Sequence, residues 1–177
     1  MEQRQWVTFF SQTGGEICDL AERLGRWPDI IITNKRPADL RKIDSRLESK
    51  DVIYLSNKPS IEEYFKVLED LDNPIITLHG WLRVMPPQVC YAYEIFNGHP
   101  GFITKYPELK GKDPQVRAYE GNYEFIGAVL HKVSPEVDEG RIIAEEFTGG
   151  GLSLDDTFRI LKDRSLYMWH NFLEKML

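Results

Sequence analysis

WVTFFSQTGGEICDLAERLG, Trp6 to Gly25, opens with a short apolar run, breaks at a polar turn carrying Gly14 and Gly15, and resumes with Ile17, Leu20, Ala21 and Leu24 at helical spacing. A brief apolar run bounded by turn residues suits a strand buried on both faces, and the 3.6-residue period suits a helix with one covered face. Gly25 is placed to end that helix. Strand, glycine turn and helix together open a unit whose next strand runs parallel to the first.

The alternation continues outward from this stretch. DIIIT (29–33) reads as a second strand, PADLRKIDSRLES (37–49) as a polar-faced helix with Pro37 near its start, and DVIYLS (51–56) as a third strand. SIEEYFKVLEDL (60–71) then reads as a helix and PIITL (74–78) as a fourth strand. Beyond them come a fifth strand at EIFN (94–97), a short helix at DPQVRAYEG (113–121), and two strands in FIGAVLHKV (125–133) and GRIIAEEF (140–147). A long amphipathic helix follows a cap at Ser153, with Leu154, Phe158, Leu161, Leu166, Met168, Trp169 and Phe172 on its apolar side. The pattern predicts one α/β domain over residues 1–177: a Rossmann-like, mostly parallel sheet with helices on both faces and a long C-terminal helix. In such sheets ligands bind at the carboxyl ends of the strands.

Composition narrows the partners. A chain of 177 residues with 42% hydrophobic and 28% charged residues is an ordinary globular domain. Its net charge of -6 argues against a nucleic acid polymer or an anionic membrane as partner. No apolar run is long enough to span a bilayer, and MEQRQWVTFF lacks the features of a secretory signal, so a cytoplasmic location is expected. Cys18 and Cys90 are too few for a disulfide framework and show no metal-ligand spacing.

Chemistry concentrates in IFNGHPGFITKYP, Ile95 to Pro107. Asn97 and His99 follow the fifth strand, where an amide can donate to a developing oxyanion and an imidazole can donate or pass a proton. The same residues are also ordinary turn formers. A second segment, AVLHKVSPEVDEGRII, offers Asp138 in a loop between strands, with Gly140 permitting close backbone approach. A carboxylate there can orient His99 or hold a proton-relaying water. Two other classes are disfavoured: no G-x-G-x-x-G follows the first strand, and His79, His99, His131 and Asp138 form no paired metal motif. His131 reads as a strand residue alternating outward, Trp169 and Phe172 as packing for the last helix, and Cys90 as a small core residue. Trp81 suits either a pocket wall or the core behind it.

Asn97, His99 and Pro100, the Asp138–Gly140 loop before Ile142 and Ile143, and GWLRVMPPQVC around Leu82–Met85 occur in an order that resembles the folate-dependent formyltransferase family. The likeness runs from the first strand onward and is greatest to the glycinamide ribonucleotide transformylase branch. It implies the formyltransferase fold, one-carbon metabolism or purine biosynthesis, and transfer of a formyl group from 10-formyltetrahydrofolate to the amine of a small acceptor. Carried over position by position, it implies Asn97, His99 and Asp138 as catalytic, and Leu82, Arg83, Val84, Met85, Val137, Glu139 and Gly140 as folate-binding. Gly14, Gly15, Glu16, Pro100 and Gly101 would meet the acceptor, with no metal required. A hydrolase that passes the formyl group to water, or a silent folate-binding module, stays open, as does a homodimer. Related tRNA formyltransferases carry a further C-terminal domain and related hydrolases an N-terminal one, so the expectation here is the catalytic domain alone.

Three departures bear on the acceptor. Glu16 stands where the branch places a phosphate-binding Asn, and a carboxylate about 5 Å from a phosphate costs on the order of 3 kcal/mol at an effective dielectric of 20. A solvent-facing helix-end Glu and an altered specificity are the two readings. Gly101 lacks a hydroxyl that family members offer, and Lys105, Lys110 and Lys112 make the following loop basic.

Overall fold

The computed structural model describes residues 3–36, 38, 42–136 and 139–177. The strands are β1 (Trp6–Phe10), β2 (Ile30–Thr33), β3 (Val52–Tyr54), β4 (Ile75–Leu78), β5 (Ile95–His99), β6 (Phe125–Lys132) and β7 (Ile142–Gly149). They form one sheet in the order β3-β2-β1-β4-β5-β6-β7. Pairing is parallel from β3 through β5 and antiparallel between β5, β6 and β7. The chain leaves β1 toward one edge and later returns to the other side of it, so the order reverses between β1 and β4. The loops that follow these two strands therefore flank the crevice where open sheets of this kind bind ligands. A backbone hydrogen bond from Ser11 N to Gly80 O at 3.2 Å ties them together.

Alternation along β1 explains the two helical layers. Val7 and Phe9 join Ile76, Leu78 and Ile95 beneath α2 (Ile61–Leu68) and α3 (Pro87–Ala92). Trp6 faces the other way, with Ile75, Phe96 and Leu130, against Leu20 of α1 (Gly15–Leu24) and Leu166, Trp169 and Leu173 of α5 (Leu154–Met176). Helix α1 ends where expected, at Gly25 with φ 64°, and α5 starts at Ser153, whose side chain accepts from Asp156 N. A smaller cluster around Leu109, Ala118 and Leu161 seats α4 (Pro114–Glu120) against β6 and α5.

Two expectations change. The helix expected over 37–49 is, among its described residues, a 3-10 turn at Ser45–Leu47. Asp44 is extended (φ -53°, ψ 129°), gives its N–H to Thr13 O at 2.8 Å and caps Arg46 N, so this short polar side chain starts a turn instead of continuing a helix. Pro37 lies outside the described residues. Conversely, α3 arises from PQVCYA, which is too short for a period to show; Pro87 in its first turn is the local signal.

The strand β5 also runs further than EIFN. Asn97 and His99 lie inside it, paired in register with His131 and Val129 of β6. Gly98 between them is required by packing, because a Cβ there would come 2.9 Å from Trp169 Nε1. Gly98→Ala is expected to push α5 off the sheet and cost about 1–3 kcal/mol, read as a lower urea midpoint with an unchanged m-value.

Candidate functional site

A cleft of about 1100 Å³ opens at the carboxyl end of the sheet. Its walls come from the β1–α1 turn at Gln12–Glu16, the segment after β4 at His79–Met85, the end of β5 at Asn97–Pro100, the turn before α4, and Phe158, Lys162 and Ser165 of α5. Asn97 and His99 lie at its centre because β5 is held between β4 on one side and β6 on the other. A site carried by a paired strand keeps its geometry better than one carried by a loop.

The hydrogen bonds of this pair assign its chemistry. Asn97 Nδ2 is 3.4 Å from His131 Nε2, and His131 Nδ1 is 3.2 Å from Lys132 O. A carbonyl only accepts, so His131 carries its proton on Nδ1 and takes one amide hydrogen of Asn97 on Nε2. His99 is buried, and its Nε2 donates to Leu109 O at 2.9 Å. Arg117 clamps the same turn by donating to the carbonyls of Glu108, Leu109, Lys110 and Lys112. The imidazole orientation thus rests on a guanidinium a turn away.

His131 is a residue the sequence reading sent outward, yet it is 2% exposed. Strand β6 is covered on both faces, and the unbroken apolar run FIGAVL was the available signal. His79 was likewise passed over, although a histidine directly after PIITL occupies the strand end where ligands bind. Its ring is buried, with Nδ1 2.7 Å from Glu16 Oε1 and Nε2 2.8 Å from Thr77 Oγ1. On α5, Phe158, Leu161, Lys162 and Ser165 form a cleft-facing stripe that reading the helix as core packing missed.

Of the residues expected to meet folate, Leu82, Arg83, Val84 and Met85 line the cleft. Leu82 and Val84 are 60% and 64% exposed at its mouth, while Met85 is buried beside Trp81. Trp81 serves both readings, since it lines the cleft and stacks edge-on to Phe9 in the core. The Arg83 guanidinium is tied to Asn57: Nε and Nη2 donate to Asn57 O and Oδ1 at 2.7 and 2.9 Å. Glu139 is exposed and paired with Lys110 at 2.7 Å, and Gly140 lies against the β6 backbone, where a Cβ would collide with Lys132 O. Val137 and Asp138 lie outside the described residues.

Of those expected to meet the acceptor, Gly14, Gly15, Glu16 and Pro100 line the cleft. Gly101 lies behind it, leaving room for His99, since a Cβ there would come 2.8 Å from His99 Nε2. Glu16 does not point to solvent: it binds His79 and, through Oε2 at 3.2 Å, Ser165 Oγ. Burial, first, and the Asp44 charge, second, push the Cys18 thiol up to about 12, and burial also raises Cys90, so neither suits a thiolate role. Among the described residues no cluster of three or more His, Cys, Asp or Glu could hold a metal ion, and no helix is long and apolar enough to cross a membrane.

Residues 30–173 match the protein family described as Formyl transferase. The chain is 30% identical over 141 residues to a formyltetrahydrofolate deformylase of Bacillus subtilis, covering 76% of this chain and 43% of that protein. Over 156 residues it is 30% identical to a trifunctional purine biosynthetic protein of Gallus gallus, covering 87% of this chain and 13% of that one. It therefore spans less than half the length of these curated relatives. A glycinamide ribonucleotide transformylase from Geobacillus kaustophilus superposes with a TM-score of 0.80, covering 99% of this chain and 100% of that one at 24% identity. A phosphoribosylglycinamide formyltransferase from Anaplasma phagocytophilum gives 0.81, covering 96% and 85% at 20% identity. At these identities the structural likeness is one of fold.

The floor of the β1–α1 turn depends on Arg46. Its guanidinium binds Asp44, Asp19 and Glu22 at 2.8, 2.9 and 3.0 Å, and Leu47 next to it packs under Gly14. Hydrogen bonds from the Arg46 side chain hold the Asp44 carboxyl at about 2. A lowered carboxyl pKa contributes stability that is complete above the unfolded value near 4 and is lost as pH falls toward 2. Arg46→Met is expected to lose about 1–2 kcal/mol at neutral pH after allowance for solvent screening. Urea unfolding across pH should show the gap to wild type closing between about pH 4 and pH 2.

Proposed function

The chain belongs to the formyl transferase family, and from that premise we propose that it transfers the formyl group of 10-formyltetrahydrofolate to the amine of a small acceptor. The observation that carries this reading is the placement of Asn97 and His99 side by side on β5, midway between an apolar slot and a polar turn of one cleft. Leu82, Val84 and Met85 offer the slot, with Trp81 and Val133 beside them, and a flat pterin ring suits such a surface. Glycinamide ribonucleotide-like amines, amino sugars and amino nucleotides are the acceptor candidates.

The acceptor nitrogen attacks the formyl carbon, and the carbonyl oxygen becomes an oxyanion. The Asn97 N–H that His131 does not use donates to it. His99 takes the proton leaving the amine and shares in holding the oxyanion. Asp138, assigned from the sequence alone, orients the imidazole and a proton-relaying water. Collapse of the intermediate breaks the bond to folate N10, which takes up the proton. The products are the N-formyl acceptor and tetrahydrofolate.

Hydrolysis is the second reading, favoured by the relatives named as deformylases. Against it stands the extent of the cleft, which continues past Asn97 to Gly14, Glu16 and Ser165 and leaves room that water as acceptor does not need. Tetrahydrofolate release from 10-formyltetrahydrofolate, with and without candidate amines, separates the two. Release that needs an amine is expected, and equal release without one makes the enzyme a hydrolase. Folate binding with no release in any mixture makes it a binding module. Asn97→Ala should lower turnover by roughly a hundred- to a thousandfold with folate affinity retained; near-full turnover in a folded variant removes Asn97 from the oxyanion role.

A further inference from the structure

The acceptor end of the cleft is built around a carboxylate. Glu16 lies in the first turn of α1, lines the cleft and is fixed from two sides, by His79 Nδ1 at 2.7 Å and Ser165 Oγ at 3.2 Å. Behind His79 a buried chain of hydrogen bonds holds its ring: Trp6 Nε1–H donates to Thr77 Oγ1 at 2.9 Å, and Thr77 Oγ1 lies 2.8 Å from His79 Nε2.

The surrounding groups point the same way. Gly15 N–H, which would face an anion at a helix start, is taken by Thr13 Oγ1 at 3.3 Å. An added Cβ on Gly15 would lie 3.5 Å from Asp44 Oδ2, so a second carboxylate stands against this turn. On the α5 wall, Lys162 is paired with Asp19 and Arg159 with Asp156, each at 3.2 Å. Asp44 is compensated by Arg46, so a dianion seated at this turn would meet the Glu16 carboxylate and one fewer backbone donor. A hydroxyl or ammonium group would instead find a fixed acceptor in Glu16.

We propose that Glu16 makes this end of the cleft select a sugar-like amine presenting hydroxyl or ammonium groups there, and reject one that presents a phosphate. The inference rests on the formyl-transfer reading only in taking this part of the cleft as the acceptor site. It assigns specificity to a single side chain. Gln can keep its one oxygen toward His79 Nδ1 and turn its NH2 to the Ser165 hydroxyl, which can accept, so Glu16→Gln removes the charge with little change of shape.

The test uses matched pairs that differ only by a phosphate: glycinamide riboside against glycinamide ribonucleotide, and glucosamine against glucosamine 6-phosphate. Binding is read from the amide NMR shifts of Gly14 and Gly15 in the full chain, with and without Glu16→Gln, so no turnover is required. Wild type is expected to bind the phosphate-free member of at least one pair about tenfold or more tightly, and Glu16→Gln to narrow that ratio or reverse it. Phosphorylated members binding as tightly as their partners, a ratio indifferent to Glu16→Gln, or no shift from any of the four would each overturn the proposal. Tetrahydrofolate release with the same compounds keeps the readings apart. Preference in binding with no release from any mixture removes formyl transfer and leaves the role of Glu16 standing.

Discussion

The Trp169 indole lying on Gly98 is the contact that joins the two halves of the site. It fastens the long helix α5 to β5, the strand carrying Asn97 and His99, and its ring also sits 4.7 Å from that of His79 at the end of β4. With the indole seated, Ser165, one turn earlier on α5, reaches Glu16. The Glu16 end of the cleft and the strand carrying Asn97 and His99 are thus referenced to one aromatic ring. Trp169 Nε1 is buried and has no hydrogen-bond partner among the described residues, a penalty of about 1–3 kcal/mol that close packing of the ring has to offset.

A second constraint is polar. Thr77 and His79 are buried, at and just after the end of β4, where an unpaired polar group is costly. The sequence Trp6, Thr77, His79, Glu16 pairs each group with the next, and in a low-dielectric interior such bonds reinforce one another. Losing any one member strands its neighbours. The carboxylate of Glu16 is therefore held in position from inside the sheet, and Ser165 alone is not what orients it.

Much of this was legible in the sequence. Continuous apolar runs such as WVTFF and IIIT announced strands covered on both faces, and the turn at Gly14 and the stop at Gly25 lay where the helix needed them. Asn97 and His99 were marked by their place at the end of a strand, and Leu82–Met85 by motif. What escaped was set by partners distant in the chain. His131 faces Asn97 because β5 and β6 pair antiparallel, and Arg117 governs His99 only through the Leu109 carbonyl. Asp44 looked like the interior of a helix, yet its backbone N–H is taken by Thr13 and its side chain by Arg46. No local pattern encodes such contacts.

The architecture separates reaction from recognition. The groups that would act on the formyl carbon sit on β5, where pairing on both sides fixes the spacing of Asn97 and His99. Other groups lining the cleft come from elsewhere: Glu16 from the start of α1, Ser165 from α5 and Lys112 from the turn before α4. A change among the second set leaves the pairing of the first untouched, because none of them shares a ladder hydrogen bond with β5. A carboxylate at the start of α1 therefore alters what the cleft admits without altering the geometry that would act on it. On these grounds fold likeness reports on the reacting centre more faithfully than on the acceptor.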